Sequence, residues 1–179
     1  MVCYNKYMKT KILGSVLTVL AILLSVIPLN MSVSAAELSD AKIDRIVSNC
    51  DTIRDLLVNL QHTDSRTRVY LGRHYETIIS KFITPLNVRL VENNMSTTAF
   101  IDNQNSYVAT RQNFTIDYIE YQKSLEELVA MDCKTEPTKF YDKLEIVRTK
   151  RKIVADDVAK LSKLGTEQTS LVKALEAKL

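Results

Sequence analysis

Two cysteines are the residues whose type and placement most directly predict chemistry. Cys50 and Cys133 are the only cysteines beyond residue 35, and the segment before that point has the composition of an export signal. Thiols of exported proteins meet an oxidising environment, in which disulfides form and persist. The sequence therefore predicts a disulfide between Cys50 and Cys133, with two separate buried or free thiols as the alternative.

A cluster of cationic residues is the second candidate site. It comprises Arg148, Lys150, Arg151 and Lys152. On one exposed helix face these side chains would suit an anionic surface, such as lipid head groups or a cell-wall polymer. Asp156 and Asp157 follow at a spacing that allows ion pairs along the same helix, so a solvated helix face is the alternative interpretation.

Metal binding and catalysis lack the residue patterns that they need. His62 and His74 are the only histidines, and they are too far apart in sequence for the usual spacing of metal ligands on one helix. The sequence has no nucleophile elbow, phosphate-binding glycine loop or zinc-ligand spacing. Adjacent carboxylates such as Glu126 and Glu127 point about 100° apart on a helix, so they cannot share one substrate. We expect a non-enzymatic protein without a metal or another cofactor.

Residues 1–35 are predicted to direct the chain out of the cytoplasm. Three lysines precede the uncharged run 12–29, and Val33 and Ala35 supply the small residues of a signal-peptidase site. The run is also long enough for a membrane helix, so an uncleaved anchor is the alternative to a signal peptide. Met8 opens a more usual signal than Met1 and is an alternative start. Residues 36–179 then form an extracytoplasmic domain, either secreted or tethered to the membrane.

The charge balance limits the expected partners. The whole chain has 24 Lys and Arg against 21 Asp and Glu, and the excess of three lies entirely in residues 1–35. The remaining chain is neutral, which argues against nucleic-acid binding. We expect a protein partner or an envelope component, and homo-oligomerisation through helical seams is a further expectation. Membrane contact is expected only through residues 12–29, if they are not cleaved.

The segment 36–179 predicts an all-α fold. It contains two Gly and two Pro, too few for the turns of a sheet. Apolar residues also recur every three or four positions, as at Ile43, Ile46, Cys50, Ile53, Leu57 and Leu60. We expect a long antiparallel helical hairpin with a further long helix. This would be a three- or four-helix coiled-coil-like bundle, preceded by an apolar signal or anchor helix.

The first helix of the hairpin is predicted to run from about Ser39 to Glu92. Ser39 suits an N-cap position, and the polar stretch that follows Leu60 contains neither Gly nor Pro. A restart at Asp64 or Ser65 would instead give two shorter helices. Pro85 is expected to kink the helix, because proline removes one backbone hydrogen bond.

The hairpin turn and the last helix are predicted from local signals. The polar stretch 92–98 is the best turn sequence, and Pro137 suits the first turn of a last helix that we expect to fray after Gly165. In an antiparallel hairpin, residues that lie opposite each other are equally far in sequence from the turn. The midpoint between Cys50 and Cys133 falls beside the stretch 92–98. The turn and the disulfide therefore predict the same antiparallel register.

Two stretches, 65–92 and 140–144, resemble uncharacterised exported helical proteins of ultrasmall, host-dependent bacteria. This resemblance implies export and helicity and brings no activity with it. The chain is also similar in size, signal and helicity to periplasmic holdase chaperones with coiled-coil prongs. Those chaperones are typically strongly basic and trimerise through a β-rich body, which this sequence lacks.

The resulting functional expectation is a non-enzymatic extracytoplasmic module of the cell envelope that binds, spaces or scaffolds other components. A periplasmic-type holdase or assembly chaperone is the alternative. A surface adhesin or host-directed effector is a lesser alternative.

Overall fold

The computed structural model describes residues 39–178, and the predicted signal or anchor segment lies outside this range. The described chain is helical, with no strand between residues 39 and 178. Its elements are α1 (Asp40–Ser48), α2 (Cys50–Thr77), a π-helical segment (Ile78–Ile83), α3 (Thr84–Glu92), α4 (Thr98–Ala130) and α5 (Pro137–Glu176). The all-α prediction is confirmed. Among these residues, no helix has the length and hydropathy needed to cross a membrane.

The first half of the hairpin is not the single helix that was predicted from about Ser39 to Glu92. The helix runs through 62–68 as predicted, so there is no restart at Asp64 or Ser65, but it breaks at Asn49. The Asn49 amide donates a hydrogen bond to the Arg45 carbonyl at 2.8 Å. The Asn49 backbone N–H donates to the same carbonyl at 3.2 Å, so the side chain and the backbone share one acceptor at the point where the helix breaks.

The irregularity expected at Pro85 takes the form of a π-helical segment, Ile78–Ile83, immediately before α3. Proline has no N–H to donate, and its ring crowds the carbonyl four residues earlier, which belongs to Lys81. A wider helical turn accommodates that carbonyl, because π geometry shifts the hydrogen bonds by one residue. Pro85 itself lies in the first turn of α3.

The predicted turn is confirmed at the end of α3. Asn94 has a φ of 53°, the left-handed region that asparagine tolerates better than most residues. The Met95 N–H donates to the Leu90 carbonyl at 3.0 Å and so satisfies one of the last carbonyls of the helix. The chain then enters α4 at Thr98.

The last helix is longer than the sequence indicates. Pro137 lies in its first turn as predicted, but the expected fraying after Gly165 is wrong, because α5 continues to Glu176. A glycine inside a helix costs only about 1 kcal/mol relative to alanine. The flanking Leu, Lys, Ala and Glu residues are good helix formers and offset this cost.

Contacts between α1–α3 and α4 step in opposite directions along the chain, as the predicted register requires. Successive pairs are Cys50 with Cys133, Asp64 with Tyr121, Glu76 with Arg111, and Thr84 with Gln104. Contacts between α4 and α5 also step in opposite directions, with Glu127 bonded to Lys143, Glu120 to Lys150, and Asn103 to the Leu164 carbonyl.

Two apolar clusters make up the core. The first surrounds the disulfide and contains Leu128, Phe140 and Val147, all nearly inaccessible to solvent. The second is aromatic and centres on Tyr75, which meets the rings of Tyr107 and Phe114 edge to face. Edge-to-face pairs add about 0.5–1.5 kcal/mol each to the burial of the rings. Burial raises the pKa of Tyr107 to about 12.

Candidate functional site

A surface groove of about 560 Å³ lies where α2, α4 and α5 meet, and we call it the cationic groove. Its apolar lining comes from Leu71, Phe114, Tyr118, Val154, Ala155 and Val158, and its charged lining from Asp64, Arg68, Arg148, Arg151 and Lys152. Thr67 and Tyr121 complete the wall. The lining therefore has four cations and one carboxylate around an apolar surface.

Asp64 holds the wall of the groove together. Its carboxylate accepts a hydrogen bond from the Tyr121 hydroxyl at 2.7 Å and two from the Arg151 guanidinium at 3.0 and 3.2 Å. The three residues belong to α2, α4 and α5 respectively, so one network ties three helices. Burial, and then the hydrogen bond to Asp64, raise the pKa of the Tyr121 phenol. The phenol therefore stays a hydrogen-bond donor at every physiological pH.

Arg68 lies against the aromatic part of the groove. Its guanidinium carbon is 5.2 Å from the centre of the Tyr118 ring, a distance at which cation–π attraction operates. Burial is the main cause that raises the pKa of Tyr118. No carboxylate among residues 39–178 forms an ion pair with Arg68. This cation is therefore available to a ligand.

The predicted cationic cluster divides into two pairs with different surroundings. Lys150 and Arg151 bond to Glu120 and Asp64 on other helices, and so they support the helix packing. Arg148 and Lys152 are more exposed, and each pairs with a carboxylate one turn away on α5. Such exposed pairs within a helix contribute only about 0.3–0.5 kcal/mol, so Arg148 and Lys152 keep most of their capacity to bind an anion.

The structure joins the two predicted cysteines in a disulfide. Cys50 begins α2 and Cys133 lies just beyond α4, with 5.6 Å between their Cα atoms. Both side chains are fully buried in the first apolar cluster. The disulfide therefore links the start of α2 to the end of α4, at the opposite end of these helices from the turn near Asn94.

The two histidines lie apart from the groove. His62 is exposed, and the His74 ring stacks parallel to the Tyr70 ring with 6.2 Å between the centres. Within residues 39–178 no group of three or more His, Cys, Asp or Glu side chains is close enough to hold a metal ion.

A second groove, also of about 560 Å³, lies beside the π-helical segment, and we call it the π-segment groove. Phe82, Pro85 and Val172 are among its apolar residues, and Lys81 and Arg89 are its cations. The amide of Gln168 lies in its wall with no hydrogen-bond partner among the described residues. This groove equals the cationic groove in volume, but two cations line it instead of four.

Asp117 and Asp157 form a carboxyl pair between α4 and α5. One oxygen of Asp157 is buried without a hydrogen-bond partner in the described chain. Burial, followed by the proximity and the charge of the Asp117 carboxyl, raises the pKa of Asp157 to about 6. The cation Lys160 acts in the opposite direction, and Asp156 adds a weaker repulsion.

Asp157→Asn is expected to stabilise the protein at pH 8 and to have little effect near pH 4. The pKa of an aspartate in an unfolded chain is about 3.9, which is lower than the folded pKa of Asp157, so the fold favours the protonated form. The stability that this group contributes is therefore lost as the pH rises from about 4 through about 6. Because the group is partly solvated, we expect a gain of only about 1 kcal/mol at pH 8. Urea unfolding at both pH values measures it. Asp156→Asn is the control and should change stability by less than about 0.5 kcal/mol at either pH, and an equal gain in both variants would contradict the explanation.

Comparisons of the chain with family models, with characterised proteins and with solved structures gave no match.

Proposed function

We propose that the chain is a non-enzymatic extracytoplasmic module of the cell envelope that binds another component through the cationic groove. The observation that carries the proposal is an apolar groove with four lining cations, held in shape by Asp64. Apolar surface provides affinity and the charges select an anionic partner, a combination typical of ligand sites. The resemblance to exported helical proteins supports the same compartment.

The proposal extends to the arrangement and location of the domain. Residues 36–179 would form a coiled-coil-like bundle, with α1–α3 and α4 as an antiparallel hairpin and α5 as the further long helix. The disulfide favours an oxidising compartment, because cytosolic thiols are kept reduced. Residues 1–35 would supply export, as a cleaved signal or as an anchor that tethers the domain.

Photo-crosslinking in the native cell tests this function. A photoreactive residue at Ala155, which lines the groove, should capture a partner from the envelope fraction, and mass spectrometry of the adduct identifies it. The same residue at Ala159, which is exposed one turn along α5 and does not line the groove, is the control. Equal capture at both positions, or adducts confined to cytoplasmic proteins, would contradict the proposal.

Exposed apolar side chains support a holdase as the second candidate function. Leu56, Tyr70 and Phe82 are each more than 60% exposed, and such side chains can contact unfolded chains. A holdase should suppress the aggregation of a reduced or heated client protein at equimolar amounts. If the protein is a holdase, replacing the three residues by serine should abolish the suppression of aggregation. If it binds its partner through the cationic groove, the same triple variant should still bind that partner, because none of the three residues lines this groove.

A further inference from the structure

We infer that the ligand of the cationic groove is a single-chain anionic amphiphile, such as a long-chain fatty acid. This inference rests on the proposed binding function and names the ligand class of the same site. Three features of the groove carry it: its apolar wall, its excess of cations, and the scarcity of free hydrogen-bond acceptors.

The apolar wall suits an alkyl chain. Leu71, Val154, Ala155 and Val158 provide the accessible apolar surface of the groove, and the nearly buried rings of Phe114 and Tyr118 lie beneath it. The volume of about 560 Å³ falls within the range of small-molecule sites, roughly 300–1,000 Å³. Burial of an alkyl chain against these side chains removes apolar surface from water on both partners, which favours binding.

The excess of cations selects a negative head group. Asp64 is the only carboxylate that lines the groove, and Arg151 already neutralises it. Arg68, Arg148 and Lys152 remain, and the ion pairs of the last two are weak and exposed. A carboxylate head group can displace Glu145 or Asp156 from these cations at little cost, and it gains charge-assisted hydrogen bonds.

The scarcity of free hydrogen-bond acceptors favours an amphiphile over an extended peptide, because Arg and Lys side chains can only donate. An extended peptide backbone needs a hydrogen-bond partner for each buried N–H and C=O group. Three lining residues carry hydroxyls. Thr67 donates to the Thr63 carbonyl, Tyr121 donates to Asp64, and the Tyr118 hydroxyl lies beside the Ser65 side chain. The helix backbones around the groove satisfy their own hydrogen bonds. An alkyl chain requires no such partners, so it fits where a peptide backbone would lose hydrogen bonds to water.

Displacement of a fluorescent fatty acid from the full chain tests the ligand class. Dansyl-undecanoic acid is bound first, and alkyl carboxylates of increasing length then compete with it below their micelle concentrations. We expect affinity to rise about fourfold for each added methylene that is buried. Alkyl trimethylammonium ions of equal length should compete at least tenfold more weakly.

Matched variants locate the binding. Ala155→Trp places a ring in the groove and should weaken carboxylate binding at least tenfold, whereas Ala159→Trp should not change it. The double variant R148E/K152E should have a similar effect, and K163E/K173E, with the same change of charge on the same helix, should have none. Circular dichroism and thermal melting confirm that each variant is folded.

Several results would overturn the inference. They are equal competition by carboxylates and trimethylammonium ions, loss of binding in the control variants, and no displacement by any carboxylate. Binding to anionic phospholipid vesicles that Ala155→Trp leaves unchanged would indicate a membrane surface instead. If photo-crosslinking from Ala155 still captures an envelope protein while carboxylates do not bind, the inference fails and the proposed function stands. Failure of both experiments would reject the proposed function itself.

Discussion

Removal of the Cys50–Cys133 disulfide is expected to lower the free energy of unfolding by about 4 to 5 kcal/mol. The disulfide closes a segment with a sequence separation of 83 residues, and the loss of chain entropy in the unfolded state grows with the length of the closed loop. Both cysteines are buried among Leu128, Phe140 and other apolar side chains. The disulfide therefore also holds part of the first apolar cluster together in the folded state. A domain of this size has a total stability of roughly 5 to 15 kcal/mol, and the loss is a large share of it.

Urea unfolding of the double variant C50A/C133A, compared with the parent chain, measures this effect. Cys3 is replaced by serine in both proteins so that it cannot exchange with the other thiols. A reducing agent should destabilise the parent and leave the double variant unchanged. If the two proteins unfold at the same urea concentration, the disulfide does not constrain the unfolded chain and the entropic explanation is wrong.

The sequence was sufficient to predict the register because two independent signals coincide. The stretch 92–98 contains residues that tolerate a left-handed turn, and the midpoint of the two cysteines lies beside it. In the structure Asn94 adopts the positive φ, and the disulfide forms between helices that this turn connects. The turn signal is local, and the cysteine signal depends only on position along the chain. A single sequence provides both kinds of information.

The breaks in the first helices were harder to predict, because they depend on competition between similar backbone hydrogen bonds. Asn49 is one of several polar residues in α1 and α2, and its type does not reveal that its amide will bond the Arg45 carbonyl. Pro85 did signal an irregularity. Whether the helix kinks at Pro85 or forms a π-helical segment depends on how the residues around Pro85 pack. Ile83, the last residue of the π-helical segment, is almost completely buried, and a single sequence does not show this packing.

The cationic groove was only partly predictable for a similar reason. The cluster Arg148–Lys152 is visible in the sequence, but Arg68 comes from α2 and the apolar wall comes from three helices. The sequence indicates Asp64 only as an alternative helix start, and nothing in it pairs Asp64 with Arg151. Long-range pairs of this kind depend on the register. The register from the disulfide would have placed Asp64 near Tyr121, which is the one signal that could have identified the network.

Asp64→Ala is expected to destabilise the protein by about 2 kcal/mol. The substitution removes the acceptor of the buried Tyr121 hydroxyl, and a hydrogen bond to a charged group contributes about 1.5–3 kcal/mol. Arg151 also loses its partner, but its side chain is half exposed and water can solvate it, so this part of the cost is small. Chemical unfolding of the single variants and of D64A/Y121F gives the coupling energy, which should be about 1 to 2 kcal/mol.

Asp51→Ala provides the matched control for this experiment. Asp51 is also an aspartate of α2, and it forms an ion pair with Lys134 at 2.8 Å, but its side chain is 78% exposed whereas that of Asp64 is 15% exposed. An exposed pair contributes at most about 1 kcal/mol, and usually less, so Asp51→Ala should cost less than about 0.5 kcal/mol. The residue type, the helix and the charge change are the same in both variants, so the difference between them reports the burial of Asp64 and its hydrogen bonds to Tyr121 and Arg151. Equal losses in the two variants, or no coupling between Asp64 and Tyr121, would mean that the network does not hold the three helices together. The wall of the cationic groove would then owe its shape to apolar packing alone.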